Sequence, residues 1–116
     1  MGTDGSATAT RAVDRAVDVA RTLGSSLTIL SAGKPGKVEK VLDREVQRLA
    51  EAGVSIETRA VDGDAVEALV TEAEQGSYDL LVVGNKGMTG LTRFLGSVPN
   101  KVSHHITTSL LIVRTT

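Results

Sequence analysis

Hydrophobic positions along this chain follow two alternating rhythms. Residues 27–30 (LTIL), 54–61 (VSIETRAV), 79–84 (DLLVVG) and 109–114 (SLLIVR) are short runs rich in Val, Ile, Leu or Thr, bounded by Gly, Asp or Ser. Such runs predict strands. Between them the apolar residues recur at helical spacing. Ala12, Val13, Ala16, Val17, Ala20 and Leu23 share one face, as do Val38, Val41, Leu42, Val46 and Leu49, and then Val66, Leu69, Val70 and Ala73. Gly24 and Gly53 stand where helix C-caps are expected, and Gly76 closes the third pattern. Asp64, after Asp62 and Gly63, is placed to cap the third helix.

Strand and helix in strict alternation predict right-handed βαβ units, hence an α/β fold with an open parallel sheet covered by helices on both faces. Only Met1, Gly2 and Thr3 precede Asp4, whereas a central strand usually has about five or six residues, so the first strand is expected to be shortened. Residues 31–37 (SAGKPGK) read as a short loop between a strand and a helix. No internal repeat or linker interrupts residues 1–116, which are expected to form one domain. In sheets of this kind ligands sit outside the carboxyl ends of the strands. Two strand ends then open on one edge: residues 2–6 (GTDGS) and residues 82–87 (VVGNKG).

Composition narrows the functions. The formal charge of -1 and the 2% aromatic content remove both the electrostatic footprint and the stacking platform of nucleic-acid binders. Zero cysteines exclude a disulfide scaffold and thiolate metal sites, and fit a reducing compartment. The longest apolar runs, LLVV and LLIV, are far shorter than the roughly 20 residues of a membrane helix, and no signal peptide opens the chain. A cytoplasmic address without membrane partners is the expectation.

The strongest chemical signal is four glycines, Gly84, Gly87, Gly90 and Gly96, within one connection. They could serve only to turn the chain, since Gly supplies positive φ at no steric cost. The functional alternative is a phosphate cradle, where a backbone without Cβ approaches an anion and donates N–H groups to it. Ser97 as N-cap and Pro99 in a first helical turn favour the cradle, because that helix would aim its positive end at the loop. Lys86 adds a movable cation. Neither GNKGMTG nor GKPGK matches the dinucleotide fingerprint or the P-loop.

The segments DLLVVGNKGMTGLTRFLGSVPNKV and SLLIVRTT, with TDGS and RAVDRAVDVA near the start, resemble the universal stress protein family in its nucleotide-binding branch. The resemblance covers nearly the whole chain. It implies a five-strand parallel sheet in the order 3-2-1-4-5, a homodimer, and binding of ATP or a related adenine nucleotide. The family pattern is Gly, two residues, Gly, nine residues, Gly, then Ser or Thr. Gly84 and Gly87 match its first positions, Gly96 and Ser97 its last. The resemblance further places Thr3 and Asp4 at the adenine and ribose, Ala32 and Val83 around the base, and the Val98 backbone at the phosphates. One departure stands out: only eight residues, Met88 to Leu95, separate Gly87 from Gly96. The short first strand and the short loop at Ser31 suggest a trimmed or engineered chain, or one from which residues are missing.

Other candidates carry less. His104 and His105 are adjacent, so on a helix they point about 100° apart and do not chelate as i, i+4 pairs do; they read as surface or interface residues. Ser97 and His104 lie seven residues apart, roughly 10 Å along a helix, too far for a nucleophile and its base. No catalytic or protein-bound metal site is expected, beyond Mg²⁺ brought by phosphate and at most slow ATP hydrolysis. Asp4 has three available roles: ribose contact, metal through phosphate, or cap of the helix starting near Ser6. LTRFL (residues 91–95) reads as packing. Two functions remain: an adenine-nucleotide-binding stress or signalling module, and a nucleotide-independent interaction domain. Either would dimerise through the C-terminal strand SLLIVRTT, a hydrophobic edge.

Overall fold

The computed structural model describes residues 1–76, 78–84 and 109–115, with no account of the Leu110 side chain. Its elements are α1 (Ala7–Leu23), β1 (Leu27–Ala32), α2 (Lys37–Arg48), β2 (Ile56–Val61), α3 (Ala65–Gln75), β3 (Leu80–Gly84) and β4 (Ser109–Val113). β1 pairs with β2 in parallel, Leu27 opposite Ile56 through Ala32 opposite Val61. β3 pairs with β4 in parallel, Leu80 opposite Ser109 through Gly84 opposite Val113. The fold is therefore α/β with parallel pairing.

The shortened first strand is reduced to one parallel bridge, Gly2 beside Leu30. Leu30 donates its N–H to the Met1 carbonyl (2.8 Å) and accepts from the Thr3 N–H (2.8 Å). Residues 1–3, β1 and β2 thus lie side by side. The expected five-strand order is not completed as a ladder: the described residues form two two-stranded sheets.

Packing joins what the ladders leave separate. Ala12, Val13, Ala16, Val17 and Ala20 of α1 are buried in one cluster with Ile29 of β1, Leu42 of α2, Val82 of β3 and Val113 of β4. On the opposite side, Val70 and Ala73 of α3 bury Leu81 and Val83. Consecutive residues of β3 thus face α1 and α3 in turn, as the two-residue period of a strand requires, and helices cover both faces. The alanines of α1 let its backbone lie close on the strands. Ser6 caps this helix, its Oγ accepting from the Ala9 N–H (3.2 Å), and Gly24 ends it.

Several boundaries differ from the periodicity reading. Leu23 is 65% and Val46 43% exposed, because each falls where its helix has turned off the core. The α2 C-cap is Leu49, not Gly53, which instead turns the following loop. Gly76 ends α3 in extended conformation rather than the left-handed form. The second predicted run, residues 54–61, starts as a strand only at Ile56, and its inner residues Glu57, Thr58, Arg59 and Ala60 are all exposed. That is the signature of a poorly covered edge, blunted here by alternating charge. Asp64 does cap α3, accepting from the Glu67 N–H (2.9 Å). No helix among the described residues is long and apolar enough to cross a membrane.

The α1–α2 seam buries one charge. Glu45 is 3% exposed; its Oε2 accepts from Arg48 Nε (2.6 Å), and Arg48 Nη1 also donates to Asp14 of α1. Glu45 Oε1 is buried without a hydrogen bond. These hydrogen bonds from Arg48, Glu45 first, hold its guanidinium above its ordinary pKa.

Candidate functional site: a cleft at the strand ends

Four pieces of chain converge where the strands end. Residues 1–3 lead into the tight turn Asp4-Gly5-Ser6, which starts α1; β1 ends at Ala32; β3 ends at Gly84; and α3 begins at Ala65. Between them lies a cleft of about 200 Å³. Its walls include Thr3 and Asp4 from the turn, Leu30 and Ala32 from β1, and Val83 and Gly84 from β3. α1 contributes Thr8, Ala9 and Ala12, preceded by its cap Ser6; α3 contributes Ala65, Val66 and Leu69; Thr115 closes one side.

The turn is fixed by its own hydrogen bonds. Asp4 Oδ1 accepts from the Ser6 N–H (2.8 Å), and Thr3 Oγ1 accepts from the Gly5 N–H (3.1 Å). Gly5 sits at φ +81°, in the left-handed region where a Cβ is penalised. A Cβ there would also stand 3.2 and 3.3 Å from the γ carbons of Val41 and 3.4 Å from Arg44 Nη2. Glycine is needed on both counts, so α2 presses directly on the turn that aims Asp4. Thr3 is 8% exposed, while Asp4 is exposed at the mouth.

Hydrogen bonding from Ser6, side chain first and then backbone N–H, holds the Asp4 carboxyl below its usual range, and Lys37 adds a smaller favourable field. Asp4 is an ionised acceptor at neutral pH. Among the described residues it is the one Asp, Glu, Lys or Arg lining the cleft. Ser6 Oγ and Thr8 Oγ1 lie 3.3 Å apart at the same polar rim. The opposite wall, from Leu30 and Ala32 to Val66, Leu69 and Val83, is apolar. An apolar slot with an anionic acceptor at its mouth suits an apolar group that carries hydrogen-bond donors. At the third side, Arg11 Nη1 donates to the Thr115 carbonyl (2.9 Å), tying the segment after β4 to α1. No cluster of three potential metal-ligating residues occurs among the described residues.

The five sequence-derived candidates within the described residues, Thr3, Asp4, Ala32, Val83 and Gly84, all line this one cleft. Asp4 does not cap α1, since Ser6 does; it closes the turn before the cap. Lys86, Gly87, Gly96, Ser97 and Val98 lie outside the described residues, as do His104, His105 and residues 91–95. The sequence reading missed the α3 wall and the α1 rim. Val66 and Leu69 carried the same helical period as core residues, and that period does not distinguish a core from a cavity. Thr8, two residues past the cap, was the available signal for the rim.

The model of the universal stress protein family matches residues 32–114. The universal stress protein Rv1636 of Mycobacterium tuberculosis is 36% identical over 139 aligned positions, covering 100% of this chain and 94% of its own length. YxiE, a universal stress protein of Bacillus subtilis, is 30% identical over 139 positions, covering 96% of this chain and 94% of its own. An alignment of 139 positions against 116 residues means that these relatives carry residues this chain lacks. A crystal structure of a universal stress protein in complex with cAMP superposes with a TM-score of 0.78 at 42% identity, covering 100% of this chain and 94% of that one. The chain belongs to the universal stress protein family.

Proposed function

We propose that this protein is an adenine-nucleotide-binding module, of the ATP-binding type, acting in stress response or signalling. The observation that carries the reading is the convergence of Thr3, Asp4, Ala32, Val83 and Gly84 on one cleft. The cAMP held by the structural neighbour supports the ligand class. In this reading the base enters the apolar slot and Asp4 accepts from the ribose hydroxyls.

The cleft volume of about 200 Å³ is below the roughly 300–1,000 Å³ of pockets that bury a drug-sized ligand. It matches base and ribose, and leaves the phosphates to the chain after Gly84. There Lys86, Gly87, Gly96, Ser97 and Val98 would supply a cation, backbone N–H groups and a hydroxyl. Mg²⁺ would arrive with those phosphates, and any hydrolysis would be slow. The full sheet takes the order 3-2-1-4-5, counting residues 1–3 as its first strand, and the protein is cytoplasmic.

Titration calorimetry with ATP, AMP and cAMP tests the reading, on the parent and on Gly87→Val and Asp4→Ala. Binding by the parent, sharply weakened in both variants, is expected. No binding at millimolar ligand, or unchanged affinity in Gly87→Val, would overturn it. The alternative is then a nucleotide-independent interaction domain. Ile112, 39% exposed on β4, favours a homodimer through that strand under either reading.

A further inference from the structure

Three apolar residues on the first turns of α3, Ala65, Val66 and Leu69, face the cleft. Their neighbours Ala68 and Val70 are buried, whereas Val66 and Leu69 are only half-buried, against the cluster formed by Val70, Ala73, Leu81 and Val83. Leu69 stands beside residues 1–3: a Cβ on Gly2 would meet its Cδ1 and Cδ2 at 3.6 and 3.7 Å, ordinary contact distances, next to the bridge to Leu30. Val70, one residue on, turns away from the cleft into the core behind it. The α3 wall is thus a half-buried branched side chain that faces the cleft and also lines a smaller cavity together with Thr28, Glu72 and Tyr78.

We infer that Leu69, with Val66 beside it, is the size gauge of the base subsite: it limits how large a group the cleft admits on the edge of the base that faces α3. The inference rests on the nucleotide reading above and adds a specificity determinant to it. Truncating Leu69 removes three carbons from the wall, while truncating Val70, buried behind the cleft, removes two carbons from the core without opening it. Enlarging Leu69 does the reverse and narrows the slot.

The test measures equilibrium binding of cAMP and of analogues bearing a benzyl or alkyl group at N6, C2 or C8 of the base. The proteins are the parent, Leu69→Ala, Val70→Ala and Leu69→Phe, each checked for fold by far-UV circular dichroism. At least one analogue should bind Leu69→Ala about tenfold or more tighter than the parent, a shift of about 1.4 kcal/mol. Val70→Ala should keep the parent's preference, and Leu69→Phe should lose cAMP itself. If Leu69→Ala does not fold, Leu69→Val and Leu69→Phe carry the same comparison in both directions. With cAMP bound by the parent, the gauge is overturned if no analogue gains in the smaller variant, or if Val70→Ala gains as much. A parent that binds no adenine nucleotide refutes the function itself, and the gauge with it.

Discussion

Replacing Gly5 by Ala separates two costs that meet at the turn aiming Asp4. At φ +81° an L residue carries strain, worth about 1–2 kcal/mol, partly offset by about 0.4–1 kcal/mol because the unfolded chain loses freedom. The new methyl would also stand 3.2 Å from Val41 Cγ2 and 3.3 Å from Cγ1. Val41 is buried on a helix, where a β-branched side chain has essentially one rotamer, so it cannot swing aside. Overpacking of that kind costs about 1–3 kcal/mol. Gly53 supplies the control: its φ is +76°, but a Cβ there meets nothing within 4 Å. Gly53→Ala should therefore cost about 1 kcal/mol or less, and Gly5→Ala about 2–3 kcal/mol. The chain has no Trp, so urea unfolding is followed by far-UV circular dichroism. With a slope of about 1–3 kcal/mol per molar, the Gly5→Ala midpoint should fall roughly 1 M below that of Gly53→Ala. Nucleotide affinity should drop in Gly5→Ala only. Coincident midpoints would show that α2 does not brace the turn.

Arg48→Met should destabilise by about 2–3 kcal/mol, less than a fully buried pair because Arg48 is a third exposed, since it leaves the Glu45 carboxylate unpaired. Glu45→Met/Arg48→Met should recover most of that loss; urea curves for the two single variants and the double give the coupling. The folded-state pKa of Asp4 is lowered, so its contribution is present above the unfolded value of about 3.9 and lost as pH falls through the lower folded one. Asp4→Asn should flatten the acid limb of stability against pH and lower stability at neutral pH, where the carboxylate's contribution is fully present. Ile112→Lys should weaken any dimer seen by light scattering and leave the monomer folded, whereas Val113→Lys should unfold the chain, because Val113 is buried against α1.

How much of this was legible in the sequence depended on whether a residue's role repeats along the chain. The helical periods of α1, α2 and α3 located the three helices among the described residues, and the short β-branched runs located the strands, because burial imposes those periods directly. The charge-blunted edge at Glu57–Ala60 was not legible, since Val54–Val61 reads as an ordinary strand until its neighbours are known. The buried Glu45 was invisible for the same reason: it occupies a helical position where a charge is normally solvated, and only the nearness of Asp14 and Arg48 explains it. At the site, Asp4 and Gly84 were found because they stand at strand ends, which topology alone brings together, whereas Ala32 came only from the family resemblance. Leu69 was counted as core because its period could not say what lay in front of it.

The edge strand shows how such a distinction alters a test. Read as SLLIVRTT, β4 offers Leu111 and Val113 as equal choices for breaking a dimer. In the fold Val113 belongs to the core shared by α1, Ile29 and Val82, and Leu111 packs against the same cluster. Ile112 points the other way, as strand alternation demands, and is 39% exposed. The same alternation continues past the strand, so that Thr115 is buried like Val113 and reaches the cleft, where Arg11 holds its carbonyl. One face of this short segment therefore serves the core and the cleft, while Ile112 stands half-exposed on the other. Ile112→Lys tests association without touching the site; Arg11→Ala loosens the site without touching the edge. If the two substitutions prove to affect both properties equally, β4 does not keep the two faces apart.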